Sequence, residues 1–211
     1  MKKIYIVTVA VFLVFISCNK DKKEKIAAKE EVKVEKMVAL NNIDLATSIM
    51  TWKGTKPGGS HDGTIGFNES SLVVENGKIT GGEFSIDMAS MKCLDIEDPK
   101  KAAGLVKHLS NADFFDIAIY PTSKFVITSV SNTEGKLAVT GNLTVKDVTK
   151  SITIPASISE DGGVVTFKSE VFSIDRADFN VKYGSKKWFD NLKDKFIDDL
   201  VEMSFVVKTK I

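Results

Sequence analysis

Between Ile79 and Val207, apolar side chains recur at every second residue in short runs separated by turn-forming residues. Successive side chains on a strand point to opposite faces, so this rhythm fits strands with one buried face and little else. Phe84, Ile86 and Met88 share one parity, as do Phe125 and Ile127. Leu137, Val139, Leu143 and Val145 alternate around Thr140 and Thr144, with Gly141 marking a bend or bulge. Ile152, Ile154, Ala156 and Ile158 form the next run. Val165 and Phe167 then give way to Phe172 and Ile174 in the other parity, which predicts a bulge near Ser169. Val201, Met203, Phe205 and Val207 close the series. Asn76-Gly77, Glu134-Gly135 and Asp161-Gly162-Gly163 supply hairpin turns.

Strands over 49–56 and over 61–74, the latter carrying Phe67, bring the number to about eight. Antiparallel strands at this spacing predict an all-β domain over 41–211, either a closed up-and-down barrel or a sandwich. One helix interrupts them. Asp98 is placed to cap it, Pro99 suits its first turn, and Ala102, Ala103, Val106 and Leu109 follow at helical spacing to an end near Ser110-Asn111.

The N-terminus has the layout of a secretory signal over 1–17. Lys2 and Lys3 precede an apolar run over 4–16 that is too short for a permanent span, and Ser17-Cys18 follows. Phe15-Ile16-Ser17-Cys18 resembles the lipobox of bacterial lipoproteins, whose cysteine is acylated and becomes the mature N-terminus. This implies a chain held at a membrane of the cell envelope, facing the periplasm or the cell surface. Residues 18–40 then read as the lipidated Cys18 plus a tether. Twelve of the eighteen residues from 19 to 36 are Lys, Asp or Glu, so a solvated spacer is expected there. Only Cys93 remains besides Cys18, so no disulfide framework holds the fold, and Cys93 is expected to be a small, partly buried residue. Without Lys2 and Lys3 the chain has 27 basic against 28 acidic residues, which gives no electrostatic case for nucleic acid.

Three segments resemble the YceI-like family. Lys107-His108-Leu109-Ser110-Asn111-Ala112-Asp113-Phe114-Phe115-Asp116, with Tyr120-Pro121-Thr122 and Phe125, is similar to its helix-end motif. Val139-Thr140-Gly141-Asn142-Leu143-Thr144-Val145, with Val148-Thr149-Lys150, is similar to a strand and turn of the family. So is Phe172-Ser173-Ile174-Asp175-Arg176-Ala177-Asp178-Phe179 to a third segment. Asp147 departs from the family's usual Gly in the turn and Ser151 from its common Pro; Asp tolerates left-handed turn geometry. The tether, Trp52-Lys53-Gly54-Thr55-Lys56 and Tyr183-Gly184-Ser185 look like a lipoprotein branch. The resemblance implies an extended, eight-stranded, lipocalin-like antiparallel barrel with one packed helix. It also implies a polyisoprenoid or similar amphiphilic lipid as guest, and leaves a homodimer open.

On that reading Phe67, Phe84, Ile86, Met88, Phe125, Ile127, Val139, Leu143, Phe172 and Phe205 are candidates to line the pocket. Trp52, Lys56, His61, Arg176 and Tyr183 are candidates for the head group. The alternating pattern alone equally allows a filled barrel serving as a structural or protein-interaction module, with Arg176 as an internal hydrogen-bond donor. No enzyme is expected; the third-ranked alternative is a hydrolase using His61 with a carboxylate brought in by the fold. Ser60-His61-Asp62 cannot form a triad along one strand, because neighbouring side chains face opposite ways. His61 and His108 lack metal-ligand spacing, and neither Asp95-Glu97-Asp98 nor Asp190-Asp194-Asp198-Asp199 has the pattern of a calcium loop, so no metal or cofactor is expected.

Overall fold

The protein is described from a computed structural model covering residues 25–33, 42–133 and 135–210. The signal-like segment, Cys18 and Glu134 lie outside the described residues. Strands β1 (Ile49–Lys56), β2 (Gly59–Phe67), β3 (Ser71–Glu75) and β4 (Lys78–Cys93) precede helix α1 (Pro99–Ser110). β5 (Thr122–Thr133), β6 (Lys136–Val145), β7 (Val148–Asp161), β8 (Val164–Ser169), β9 (Phe172–Asp175) and β10 (Leu200–Lys210) follow it. Neighbouring strands run β1-β2-β4-β5-β6-β7-β8-β10, all antiparallel, and β10 pairs back onto β1 with Met50 opposite Phe205. The sheet is a closed ring.

The ring has the eight positions expected from the alternation, but two of them are broken. β3 continues the line of β2 along β4: Phe67 faces Ile86 and Ser71 faces Glu83. At this break the buried Ser70 hydroxyl accepts the Ser85 N–H at 2.9 Å and donates to the Asn68 carbonyl at 2.9 Å. β9 likewise continues β8 along β10, after a kink at 170–171 that carries the parity switch and turns Val171 out to solvent. Such interruptions let a long strand change direction without losing its ladder to the neighbour.

The turns follow backbone chemistry. Asn76 and Gly77 both have positive φ (52° and 71°), as a type I′ hairpin needs. In the turn between β6 and β7 the left-handed residue is Lys146 (φ 54°) and not Asp147, so the departure at Asp147 falls where no left-handed backbone is required. α1 starts as expected, with the Asp98 carboxylate accepting from the Lys100 and Lys101 N–H groups at 2.9 and 3.3 Å. Leu105, Val106 and Leu109 turn one helix face towards the barrel.

The tether departs from expectation. Residues 25–33 lie against the barrel, where Ile26 and Ala28 pack on the core while Lys25, Ala27 and Lys29 face out. Counting charges obscured a period-two pattern, which a single well-placed Ile makes strand-like.

Gly141 sits opposite Ile127, where β5 carries an extra residue at Thr128. A Cβ there would meet the Phe125 ring at 2.4 Å and the Val126 carbonyl at 2.6 Å. Gly141→Ala is therefore expected to destabilise the fold by about 1–3 kcal/mol, read as a lowered midpoint in urea unfolding with unchanged slope.

Candidate functional site

The interior is divided. At the end formed by β3, the start of β6 and β8, inward side chains fill the space: Leu72, Val139, Val165 and Phe167 are at most 1% exposed. Towards α1 the same barrel encloses an apolar cavity of about 240 Å³. A single water needs only about 10–15 Å³, so this end is hollow.

Eight of the expected lining positions border this space: Phe67, Phe84, Ile86, Met88, Phe125, Leu143, Phe172 and Phe205. Ile127 and Val139 do not; they face inward but belong to the filled end, because strand parity fixes the face of a residue and not its depth. The sequence reading missed several wall residues. Met91 extends the parity of β4 across its bulge opposite β2, and Leu105, His108 and Leu109 come from α1. Of these, only Leu109 belonged to the helix face read from the sequence, and nothing in that face said which end of the barrel it would cover.

Polar lining groups gather at the α1 end: Thr55, Lys56, His61, His108, Arg176 and Asp198. Ser123 is the polar wall residue elsewhere, with its hydroxyl on Met88 Sδ at 3.3 Å. Of the head-group candidates, Trp52, Lys56, His61 and Arg176 border the cavity. Tyr183 does not: it stands edge-on to the His108 ring, centroids 4.7 Å apart, and borders a separate outer depression with Tyr120 and Lys146. The Trp52 indole lies over Gly63, where a Cβ would come within 2.7 Å of the ring. Its Nε1–H is buried and has no acceptor. A buried donor left unpaired costs about 1–3 kcal/mol, so Trp52 carries a local penalty inside the barrel wall.

His61 does not work with Ser60 and Asp62. Instead its Nδ1 meets Asp95 Oδ2 at 2.8 Å, while Asp95 Oδ1 accepts the Asp62 N–H at 3.0 Å and the Cys93 thiol at 3.2 Å. Burial pushes the Asp95 carboxyl up, but these bonds outweigh it and hold the group down at about 2. The ionised carboxylate thus supports the fold above the usual range near 3.8 and loses that contribution as pH falls through about 2. Burial and then the bond to Asp95 push the Cys93 thiol up, and the thiol donates to Asp95. Among the described residues no group of His, Cys, Asp and Glu is arranged to hold a metal ion.

The family model of the YceI-like domain matches residues 41–209. The chain belongs to this family. A "UPF0312 protein" of Pseudomonas savastanoi pv. phaseolicola is 43% identical over 89 residues, covering 38% of this chain and 46% of that protein. Protein YceI of Escherichia coli O157:H7 is 33% identical over 101 residues, 48% of this chain and 47% of its own length. The chain thus spans about half the length of the curated relatives it matches. The crystal structure of Burkholderia cenocepacia BcnA superposes with a TM-score of 0.66 at 25% identity, covering 80% of this chain and all of that one. A polyisoprenoid binding domain from Saccharophagus degradans shares the fold at a TM-score of 0.58 and 14% identity, over 80% of this chain and 97% of that one.

In this YceI-like barrel Arg176 is an internal strut. It is 3% exposed; Nε donates to the Asp198 carbonyl at 3.2 Å, Nη1 to Val181 at 2.9 Å and Nη2 to Ile197 at 3.1 Å. Nη2 also pairs with Asp199 Oδ1 at 3.2 Å, and the guanidinium lies over the Phe114 ring at 5.4 Å. Burial pulls its pKa down from the usual arginine range, opposed by Asp199, Asp175 and Asp198. All three nitrogens are engaged, so the candidate head-group role gives way to the hydrogen-bond role: Arg176 ties the 3₁₀ turn at 176–179 to the loop before β10. Arg176→Met strands those carbonyls and the Asp199 carboxylate, and is expected to cost about 3 kcal/mol, measured by thermal and urea unfolding.

Proposed function

We propose that the protein is a lipid-anchored envelope protein that carries or sequesters a long-chain isoprenoid or similar amphiphile inside its barrel. The observation that carries this reading is the apolar cavity of about 240 Å³ with its polar groups collected at one end. Each buried CH₂ contributes about 0.8 kcal/mol, so a chain-like tail supplies enough affinity without any specific polar contact. His61 and Lys56 then need only select the head, and both can donate a hydrogen bond to it. The fold shared with a domain described as polyisoprenoid binding supports the same class of guest. A structural module with a filled barrel is the poorer account, because an interior that binds nothing gains nothing from an open space. The signal-like start and Cys18 support export and acylation in a lipoprotein branch of the family, with the barrel facing the periplasm or the cell surface.

Protein purified from bacteria is expected to carry a stoichiometric amphiphile in native mass spectrometry. Met88→Trp, which fills the cavity from β4, should lower the bound fraction by about tenfold or more while the unfolding temperature changes little. A chain that never retains an amphiphile, with Met88→Trp indistinguishable from it, rules the reading out. Cys18→Ala should remove the acyl mass and shift the protein from the membrane to the soluble fraction. An unchanged mass and distribution would refute the anchor.

A further inference from the structure

The wall of the barrel has a seam. β8 pairs with both β7 and β10, but beyond the kink at 170–171 β9 keeps only β10. The outer edge of β9 and the first half of β7 therefore share no ladder. Ile152 and Ile154 on β7 and Phe172 and Ile174 on β9 all border the cavity, so this seam is a window onto it.

Residues 25–29 occupy the window as a substitute strand. Lys25 bridges Ser173 in parallel, and the Ile26 N–H donates to the Ser173 carbonyl at 2.9 Å. On the other side Lys29 exchanges both backbone bonds with Ser151, at 2.8 and 2.9 Å. Ile26 and Ala28 point to the core. Further on, the Val32 backbone N–H and carbonyl are held by the Asn142 side-chain amide at 2.9 and 2.6 Å. Ser151, Ser173 and Asn142 have outward parity yet are buried, as expected if this segment covers them. Outside, Lys25 Nζ reaches Asp175 at 2.8 Å and Asp178 at 2.9 Å.

The strand is weakly held for its length. Three bonds between backbones, the two bonds from Asn142 to Val32, partly exposed ion pairs and the inward side chains of Ile26 and Ala28 oppose the entropy of ordering nine residues, which places the segment at the low-stability end of the fold. We propose that the seam between β7 and β9 is the port through which the apolar tail passes, and that residues 25–29 are its gate. Docked, the segment completes the wall around the guest; released, it opens the barrel sideways so that a long chain need not thread the polar end. Lys25 lies seven residues after Cys18, a reach of at most about 25 Å, so acylation at Cys18 would keep the port at the membrane. This inference rests on the proposed lipid-binding function.

The test follows transfer of a pyrene-labelled long-chain alcohol from phosphatidylcholine vesicles into the full chain carrying Cys93→Ser. Adding Lys29→Cys and Ser151→Cys creates a facing pair with the Cα separation of about 5.5 Å that a disulfide accepts. The oxidised form should transfer the probe about tenfold more slowly, and reduction should restore the rate. Ile26→Asp with Asn142→Ala should speed transfer about tenfold. Equal rates in all forms, with the probe still bound at equilibrium, overturn the port and leave lipid binding standing. Failure of every form to bind the probe removes both. Hydrogen exchange on the unaltered chain gives an independent reading: the Lys29 and Ser151 amides should exchange about a hundredfold faster than those of the β5–β6 ladder, and equal protection would make the segment a fixed wall.

Discussion

The antiparallel pairing of β1 with β10, from Ile49 opposite Val206 to Lys53 opposite Glu202, is the constraint on which the rest depends. An open sheet of this length would leave two rows of unpaired N–H and C=O groups and would need a second layer to cover its apolar face. Closure removes both needs at once. Backbone polar groups are satisfied within the wall, and apolar side chains need only face each other across the interior. With the wall supporting itself, part of that interior can stay open without the shell collapsing into it.

The open part is placed by the two broken strands and by the elements packed at one end. β9 diverges from β7, α1 and the segment around Phe114 cover the top, and Arg176 fastens the 3₁₀ turn to the chain before β10. Most polar lining groups thereby gather at this end, with Ser123 on β5 the exception. Along most of each strand, ladder geometry enforces an alternation that keeps charges outside, and Lys56 and His61 reach the cavity from the ends of β1 and β2. The His61–Asp95–Cys93 cluster at this end belongs to the same division: each member satisfies another, and Asp95 is held ionised by donors from two chain segments.

Much of this was legible. Alternation placed Phe84, Ile86, Phe125 and Phe172 on the inner face, Asp98-Pro99 fixed the start of α1, and the parity switch between Phe167 and Phe172 pointed to a break near Ser169, next to the kink at 170–171. Depth was not legible. Ile127 and Val139 have the same parity as true wall residues, and what separates them from the cavity is their height along the barrel, which local pattern does not encode. Partners distant in sequence were also hidden. Nothing near His61 announces Asp95, and Tyr183 could be assigned to the mouth only until the fold set it edge-on to His108 outside the cavity. The tether failed for a different reason. Composition describes the average behaviour of a segment, whereas the docking of residues 25–29 turns on Ile26 and on free backbone edges supplied by β7 and β9.

Where the cavity meets the filled end, three aromatic rings stack into a floor. Phe84 and Phe205 border the space, and Phe167, with no exposure at all, packs between them with centroids 6.0 and 4.9 Å away. A rigid bottom turns a hollow barrel into a ruler. If the proposed amphiphile is the guest, its tail, once inside, is measured against the distance from these rings to the polar end: a shorter chain leaves void beneath it, and a longer one must double back or leave its head outside. Selectivity for chain length would then be graduated by the bulk of three phenylalanines, independently of whatever recognises the head.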